Sequence, residues 1–284
     1  ITDENDHIYL TGGCDVDIYG EQRIGDSNIV NQIYLSRDFG KTWEGLLDGN
    51  PFDSGAKQII QHPSNKKVFF AATSNGLFVS KDKGKTWQQE NNDLNFENIG
   101  AMVVGENHVY AGTLGGGVYS GRIESDYSVK WSKSSGPYPY IYDIKLMLDP
   151  EDPRILYASS YPGGVFKSVD GGRYWMECNF ALPSFEVEDP NTQGYYSLKI
   201  NPGNREILYL SIFGKGIYRS TDGGGVWIPM YGENGRNREI MNMGITEIVI
   251  DPTDNDMLYM ATDEGILISE DGGGSWKEFS AGLA

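Results

Sequence analysis

The sequence predicts an all-β protein, a β-propeller whose blades are four-stranded antiparallel sheets, and three observations support this fold class. The six tryptophans recur at intervals of 44, 44, 44, 52 and 49 residues. An octapeptide of the pattern Ser-x-Asp-x-Gly-x-Thr-Trp occurs five times, with variation at its seventh position. In each complete repeat, three short β runs separated by proline- or glycine-containing turns precede the octapeptide. A period of about 45 residues with four strands per repeat is typical of propeller blades.

The composition of the chain argues against nucleic-acid binding and membrane insertion. The chain has 284 residues, 37 glycines and a formal net charge of −17. A surface this acidic repels phosphate backbones, so we expect no nucleic-acid partner. No apolar run approaches the roughly 18 residues of a membrane span, so membrane insertion is not expected. Cys14 and Cys178 lie in repeats one and four and are interpreted as free thiols. The three histidines form no metal-binding pattern with cysteine, so no metal is predicted from them.

The octapeptide has a structural explanation at each position. Its aspartate can accept backbone N–H bonds across a turn, as in an Asx-turn. Its glycine allows a positive φ at the hairpin tip, and its tryptophan can bury a large ring between sheets. We therefore assign these residues to the scaffold: Asp38, Asp82, Asp170, Asp222, Asp271, Trp43, Trp87, Trp175, Trp227 and Trp276.

Two repeats depart from the pattern. Repeat one runs directly into its second strand at His7, so it lacks an inner strand. In repeat three, Ser120 and Trp131 are eleven residues apart and the Asp-Gly core is missing. Its strands remain recognisable, which predicts a blade with an altered hairpin. We expect one propeller domain over residues 1–284, with a six- or seven-bladed ring, as part of a longer polypeptide.

The octapeptide and the DPxxxxxLYxAT stretch before it resemble the Asp-box (BNR-repeat) propeller superfamily over nearly the whole chain. This superfamily includes sialidases, xyloglucanase-type glycoside hydrolases, sortilin-like receptors and photosystem II assembly-factor propellers. The DP turn and the sequence pattern GGVxxSxDGG are most similar to those of the xyloglucanase and assembly-factor groups. The resemblance implies the fold more strongly than the function, because one fold hosts many activities.

Sialidase activity is not expected. That activity implies three arginines converging on a substrate carboxylate, together with an acidic aspartate and a Tyr/Glu pair. The arginines of this chain lie in or beside Asp-box hairpins, in the turns between first and second strands, or in a loop with no evident partner. They are Arg37, Arg173, Arg219, Arg154, Arg205 and Arg23.

A xyloglucanase-like site is an open alternative. The resemblance implies catalytic aspartates in two loops, which Asp263 in ATDEGILIS and Asp15 in GGCDVDIYG match in part. Two carboxylates about 5–10 Å apart can act as acid and base or nucleophile. Glu264 follows Asp263 where the family pattern has glycine, and the family places its pair between two propellers. The other interpretation is that both aspartates only form turns.

Topology predicts that function lies opposite the Asp-boxes. The second-to-third loops and the blade connections share that face, and long insertions fall at 11–32, 177–196 and 229–244. Variable loops on a rigid scaffold commonly carry function. The candidate ligand-binding aromatics there are Tyr19, Tyr140, Tyr161, Tyr195, Tyr196, Phe213 and Tyr231. Asp15, Asp17 and Asp26 form a weak candidate for calcium, with no other cofactor expected.

These features support three hypotheses. The leading one is a recognition module, extracellular or at the cell surface, that binds a polysaccharide or a protein partner through the loop-rich face. The second is a glycoside hydrolase acting on a β-glucan such as xyloglucan through Asp15 and Asp263. The third is a structural module of a larger surface protein.

Overall fold

The computed structural model describes residues 8–11, 33–38, 41–42, 44–45, 56–95, 98–134, 136, 143–161, 163–183, 196–230, 240 and 242–279. Within these ranges the strands form six antiparallel sheets and there is no α-helix, so no helix there could cross a membrane. The predicted β-propeller fold is confirmed. The chain divides into two compact units, residues 1–134 and 135–284. A single domain over residues 1–284 stays a prediction.

Unit one contains three sheets, and within each the strands pair in chain order. The described part of the first sheet has three strands, which correspond to the second, third and fourth strands of a blade. The strands of sheet one are β1 (Ile8–Thr11), β2 (Ile33–Ser36) and β3 (Glu44–Gly45). Those of sheet two are β4 (Ala56–Gln61), β5 (Phe69–Thr73), β6 (Gly76–Ser80) and β7 (Gln88–Gln89). Those of sheet three are β8 (Ile99–Val104), β9 (His108–Thr113), β10 (Gly117–Ile123) and β11 (Val129–Lys133).

Unit two contains three four-stranded sheets, also paired in chain order. Sheet four has β12 (Asp143–Leu148), β13 (Leu156–Tyr161), β14 (Gly164–Ser168) and β15 (Met176–Glu177). Sheet five has β16 (Tyr196–Asn201), β17 (Asn204–Ile212), β18 (Gly216–Ser220) and β19 (Ile228–Pro229). Sheet six has β20 (Ile245–Ile250), β21 (Leu258–Thr262), β22 (Gly265–Ser269) and β23 (Lys277–Glu278).

The core of each unit lies between facing sheets. In unit one, Phe70, Leu77 and Met102 belong to one buried cluster from sheets two and three. In unit two, Ile248 and Leu258 of sheet six pack in a cluster with residues of sheet five. Burial of an aliphatic or aromatic side chain stabilises the fold by roughly 1.5–3 kcal/mol. In sheet two, the second and third strands are buried on both faces rather than on alternating positions.

Sheet three has four strands, as predicted, and its outer hairpin differs from the Asp-box. The turn is closed by the Tyr127 N–H donating to the Glu124 carbonyl at 2.9 Å, with Tyr127 at a φ of 65°. Asp126 accepts the Ser128 N–H at 3.0 Å. Without an Asp-box, the hairpin strands extend further, and Trp131 lies within β11. In the other blades the fourth strand starts one residue after the tryptophan.

Candidate functional site

The Asp-boxes lie at the hairpins between the third and fourth strands, and the carboxylate of each one closes its own hairpin. Asp82 Oδ1 accepts the Thr86 N–H and the Ser80 hydroxyl, each at 2.9 Å, and Oδ2 accepts the Thr86 hydroxyl at 2.7 Å. In each of the five boxes the aspartate accepts the N–H of the residue four positions later; the other acceptors are Asp38, Asp170, Asp222 and Asp271. The glycine at the sharpest bend has the expected positive φ, for example 94° at Gly224. These contacts support the structural interpretation of the motif.

Hydrogen bonding also affects the protonation of these carboxyls. The Ser220 hydroxyl and then the Val226 amide lower the pKa of Asp222 below its ordinary value of 3.8. A carboxylate that accepts several hydrogen bonds is stabilised in its charged form. Asp222 therefore remains ionised at neutral pH and is poorly suited to donate a proton in catalysis.

The tryptophans of the Asp-boxes differ in their indole contacts, and the buried indole N–H of Trp276 has no hydrogen-bond partner among the described residues. The indole N–H of Trp227 donates to the Cys178 carbonyl of the preceding sheet at 2.7 Å, and Trp227 is fully buried. The indole N–H groups of Trp87 and Trp175 instead donate to carbonyls of their own hairpins, and both rings are half-buried. Cys178 is a free thiol, as expected from the sequence.

The loop face is the set of sheet ends that carry the second-to-third loops and the entries into the first strands. In unit two, Asp263 forms a reciprocal pair there with Gly244, the residue before β20. The Asp263 N–H donates to the Gly244 carbonyl at 3.1 Å, and Asp263 Oδ1 accepts the Gly244 N–H at 3.0 Å. Asp263 is exposed, and no hydrogen bond to its Oδ2 is found among the described residues. One carboxylate oxygen is thus fixed and the other remains available.

Phe213 lies between β17 and β18, in the second-to-third loop of sheet five, and its ring approaches Gly244. A Cβ on Gly244 would lie 2.5 Å from Phe213 Cε2 and 2.9 Å from Asp263 Oδ2. The edge of the Phe213 ring and the Asp263 carboxylate therefore both lie next to Gly244. The following Gly214 N–H donates to the Met243 carbonyl at 3.1 Å, which ties the loop to the entry of sheet six. Phe213 is 37% exposed. We call Phe213, Gly214, Met243, Gly244 and Asp263 the Phe213–Asp263 cluster.

The equivalent position in unit one is built differently. There the Leu114 N–H donates to the Asn98 carbonyl at 2.9 Å, the same backbone contact that joins Asp263 to Gly244. Asn98 Oδ1 accepts a hydrogen bond from Lys57 Nζ at 2.6 Å. Leu114 replaces the aspartate, so this end of sheet three offers no corresponding carboxylate. The backbone contact is shared by the two sheets, whereas the acidic group belongs to sheet six.

Of the residues predicted to bind or react, the structure brings together Asp263 and Phe213. Tyr161 and Tyr196 lie in β13 and β16, where only their backbone is described. The remaining candidates lie outside the described residues: Asp15, Asp17, Tyr19, Asp26, Trp43, Tyr140, Tyr195 and Tyr231. The hydrolase pair and the calcium site therefore stay predictions. Within the described ranges no group of acidic, histidine or cysteine side chains could hold a metal ion.

Sequence reasoning missed Gly244 and Met243. The only signal was a glycine directly before the apolar run of β20, a position where close approach of another group is common. Nothing in the local pattern shows that the approaching groups come from two different loops.

Comparisons with known proteins agree with this architecture. A family model described as "Sortilin, neurotensin receptor 3" matches residues 31–104. A xyloglucanase, Xgh74A, from Acetivibrio thermocellus is 34% identical over 107 residues, covering 31% of this chain and 12% of that protein. An oligoxyloglucan-reducing end-specific xyloglucanase from Emericella nidulans is 24% identical over 152 residues, covering 49% of this chain and 18% of the enzyme. The chain thus spans a fifth or less of these relatives.

Solved structures share the fold at low sequence identity. The extracellular domain of a putative hybrid two-component system from B. thetaiotaomicron gives a TM-score of 0.67 at 13% identity, covering 98% of this chain and 32% of that one. The GH74 enzyme of Niastella koreensis gives 0.63 at 18% identity, covering 97% and 48%. YCF48 bound to the D1 peptide gives 0.56 at 14% identity, covering 84% and 71%.

The repeated hairpins, the four-stranded sheets and these likenesses define the class of the protein. The chain has a β-propeller fold whose sheets carry Asp-box hairpins. Within that class it is similar to segments of xyloglucanases and to the YCF48 propeller.

Proposed function

We propose that this propeller is a carbohydrate-recognition module that binds a β-glucan chain, such as xyloglucan, on its loop face. The observation that carries the proposal is the Phe213–Asp263 cluster. An aromatic side chain offers a flat apolar surface to the C–H face of a sugar ring, and an adjacent carboxylate oxygen accepts its hydroxyl groups. The Gly244 N–H holds the Asp263 carboxylate, and the Gly214 N–H ties the loop of Phe213 to the Met243 carbonyl, which reduces the conformational entropy lost on binding.

The geometry favours binding over chemistry at Asp263. Its Oδ1 already accepts the Gly244 N–H, which leaves one oxygen for a ligand. Glycoside hydrolysis generally uses two carboxyl groups about 5–10 Å apart. The xyloglucanase relatives keep hydrolysis as the second candidate function, with Asp15 as the required partner. A polysaccharide ligand and the extracellular origin of one structural neighbour together support a location outside the cell.

The proposal is tested by affinity electrophoresis and calorimetry of the 284-residue chain against xyloglucan, mixed-linkage β-glucan and an unrelated α-glucan. We expect retardation on the β-glucans. Phe213→Ala should weaken binding about tenfold, equivalent to about 1.4 kcal/mol. Asp263→Asn should weaken it less, because the amide oxygen can still accept the Gly244 N–H.

Two variants serve as matched controls. Phe180→Ala removes an exposed phenylalanine whose carbonyl contacts the Asp-box of sheet five, and Glu270→Gln neutralises an exposed carboxylate within the Asp-box of sheet six. Both should bind like the unmodified protein. Absence of binding to every glucan, or equal losses in the controls, would contradict the proposal. Release of reducing sugar that disappears in both Asp15→Asn and Asp263→Asn would instead identify a hydrolase.

A further inference from the structure

The turns between the first and second strands of sheets two, four, five and six share one hydrogen-bond pattern around a residue that precedes proline. In sheets four, five and six a side-chain oxygen of this residue accepts the N–H groups of the residues two and three positions later. The accepting residues are Asp149, Asn201 and Asp251. In sheet two the acceptor is His62 Nδ1, which lies 3.3 Å from the Ser64 nitrogen and 3.2 Å from the Asn65 nitrogen. An imidazole therefore takes the place of a carboxylate or an amide.

His62 also joins its turn to the next sheet of unit one. His62 Nε2 lies 3.0 Å from the Glu106 carbonyl, in the turn between β8 and β9. Asn201 makes the same second contact in unit two, where its Nδ2 donates to the Asn255 carbonyl, between β20 and β21, at 3.1 Å. Both side chains thus accept within their own turn and donate to the corresponding turn of the following sheet. Asn201 is a version of this contact that cannot be protonated.

The partners of His62 determine which ring nitrogen carries the hydrogen. The N–H groups of Ser64 and Asn65 can only donate, so Nδ1 has to keep its lone pair. The Glu106 carbonyl can only accept, so Nε2 carries the hydrogen. Protonation of Nδ1 would place an N–H against two other donors and break both bonds. The ring is 4% exposed, so water cannot readily compensate the charge of an imidazolium there.

The titratable groups near the ring offer an imidazolium little compensation. The Glu106 carboxylate is exposed and accepts the Ser64 hydroxyl at 2.7 Å. The Tyr127 ring meets the His62 ring edge-on at 5.5 Å, and its hydroxyl accepts the Asn65 amide at 2.7 Å. In the described part of the chain no carboxylate forms an ion pair with His62. The other titratable groups of the surrounding turns and hairpin are Lys66, Lys67, His108, Arg122, Glu124 and Asp126.

We infer that His62 is an acid-sensitive switch in unit one: a proton on Nδ1 opens the turn at residues 62–65 and releases it from the Glu106 carbonyl, which loosens sheet two from sheet three. Histidine is the side chain that ordinarily changes charge between pH 5 and 8. The unfolded chain binds this proton below about pH 6.5, whereas the folded turn excludes it. The stabilisation is therefore present above that pH and is lost as the pH falls.

The related turns do not respond in the same range. Asn201 has no titratable group. The Thr253 hydroxyl and then the Thr253 amide hold the pKa of Asp251 below its ordinary value of 3.8, so this acceptor stays charged at pH 5.5. Acid between pH 7.5 and 5.5 should thus act on the turn of sheet two and leave the turns of sheets five and six closed.

Urea titrations of the 284-residue chain at pH 7.5 and pH 5.5 compare the unmodified protein with His62→Asn. The asparagine keeps one acceptor and one donor, as Asn201 does in sheet five. A histidine that is protonated only in the unfolded chain raises the unfolding equilibrium constant about tenfold between these two pH values. We expect the acid-induced rise to be about tenfold larger in the unmodified protein. All other titratable groups are common to both proteins, so their contributions cancel.

Hydrogen exchange followed by mass spectrometry tests the switch without any substitution. After correction for the intrinsic effect of pH on exchange, the peptide that contains Ser64 and Asn65 should lose protection several-fold at pH 5.5. The peptide that contains Gly203 and Asn204 is the internal control and should keep its protection. Neither experiment contains a glycan, so the outcome is independent of the proposed function.

Three results would overturn the inference. The first is the same pH effect on unfolding in His62→Asn as in the unmodified protein. The second is unchanged protection of the Ser64 and Asn65 peptide at pH 5.5, since the turn would then remain closed. The third is an equal loss of protection at the Gly203 and Asn204 peptide, which would show a general effect of acid rather than one that acts through His62.

Discussion

The tyrosine contacts between sheets of unit two allow the strength of a blade-to-blade hydrogen bond to be measured. Tyr209→Phe removes only the hydroxyl that donates to the buried Gly272 carbonyl. Leaving a buried acceptor without its donor costs about 1–3 kcal/mol. The ring and its packing remain, so no large cavity term is added. We expect Tyr209→Phe to lower the free energy of unfolding by about 1.5 kcal/mol.

Tyr157→Phe should be milder because its acceptor has a second donor. The Tyr157 hydroxyl and Lys167 Nζ both donate to the Gly223 carbonyl, at 3.1 Å and 3.0 Å, so that carbonyl stays paired after the substitution. We expect a loss of about 0.5 kcal/mol. Arg219 takes the place of Lys167 in sheet five, but its guanidinium lies over the Tyr209 ring at 5.9 Å. Its Nε has no hydrogen-bond partner in the described part of the chain.

Thermal unfolding followed by circular dichroism measures the difference. For a chain of this size, the expected losses correspond to about 3–5 °C for Tyr209→Phe and about 1 °C for Tyr157→Phe. Tyr174→Phe is the control, since Tyr174 is 70% exposed at a hairpin tip and should leave the transition unchanged. The reasoning is refuted if Tyr157→Phe is at least as destabilising as Tyr209→Phe, or if neither shifts the transition.

Three further predictions concern the Asp-boxes and the loop face. Val226→Thr places a hydroxyl near the second oxygen of Asp222, as the threonines of other boxes do, and should raise the free energy of unfolding by about 0.5 kcal/mol in urea titrations. The Ser220 hydroxyl and then the Val226 amide lower the Asp222 pKa below 3.8, so its stabilisation is present above that value and is lost as pH falls through the folded-state pKa. Asp222→Asn should therefore flatten the acid limb of the stability–pH curve, and an unchanged limb would contradict this. Gly244→Ala should displace the Phe213 ring and weaken glucan binding with little change in melting temperature, because the obstructing atoms belong to side chains and no positive φ is involved.

Much of the fold could be predicted because its determinants are local in sequence. The aspartate and the residue four positions later meet within one hairpin, so the octapeptide alone specifies their hydrogen bond. Sheet three was predicted despite its missing Asp-box, since the β runs around Val109 and Val118 remain. Those runs form β9 and β10, which pair along six positions.

The candidate site could be predicted only in part because its contacts are distant in sequence. Asp263 was singled out for its loop, but its partner Gly244 lies nineteen residues earlier. Phe213 comes from a different sheet and meets both at one point. The hydrogen-bond partners of the tryptophans could not be predicted from the motif either. Trp87 and Trp227 share one motif, yet the first indole bonds its own hairpin and the second bonds the preceding sheet.

The acidic groups of the Asp-boxes and Asp263 on the loop face therefore differ in the contacts that they can still make. At the Asp-box edge, Asp82 uses both carboxylate oxygens within its hairpin, and the Ser80 hydroxyl also accepts the Gly84 N–H at 2.8 Å. A ligand there would have to compete with hydrogen bonds that hold the fold. On the loop face, Asp263 fixes its position with one oxygen and keeps the other for solvent or ligand. A carboxylate with one oxygen fixed by a hydrogen bond and the other free to accept one, next to an aromatic ring, suits the recognition of a hydroxyl-rich ligand. This difference supports the proposal that recognition occurs on the loop face and that the Asp-boxes serve as scaffold.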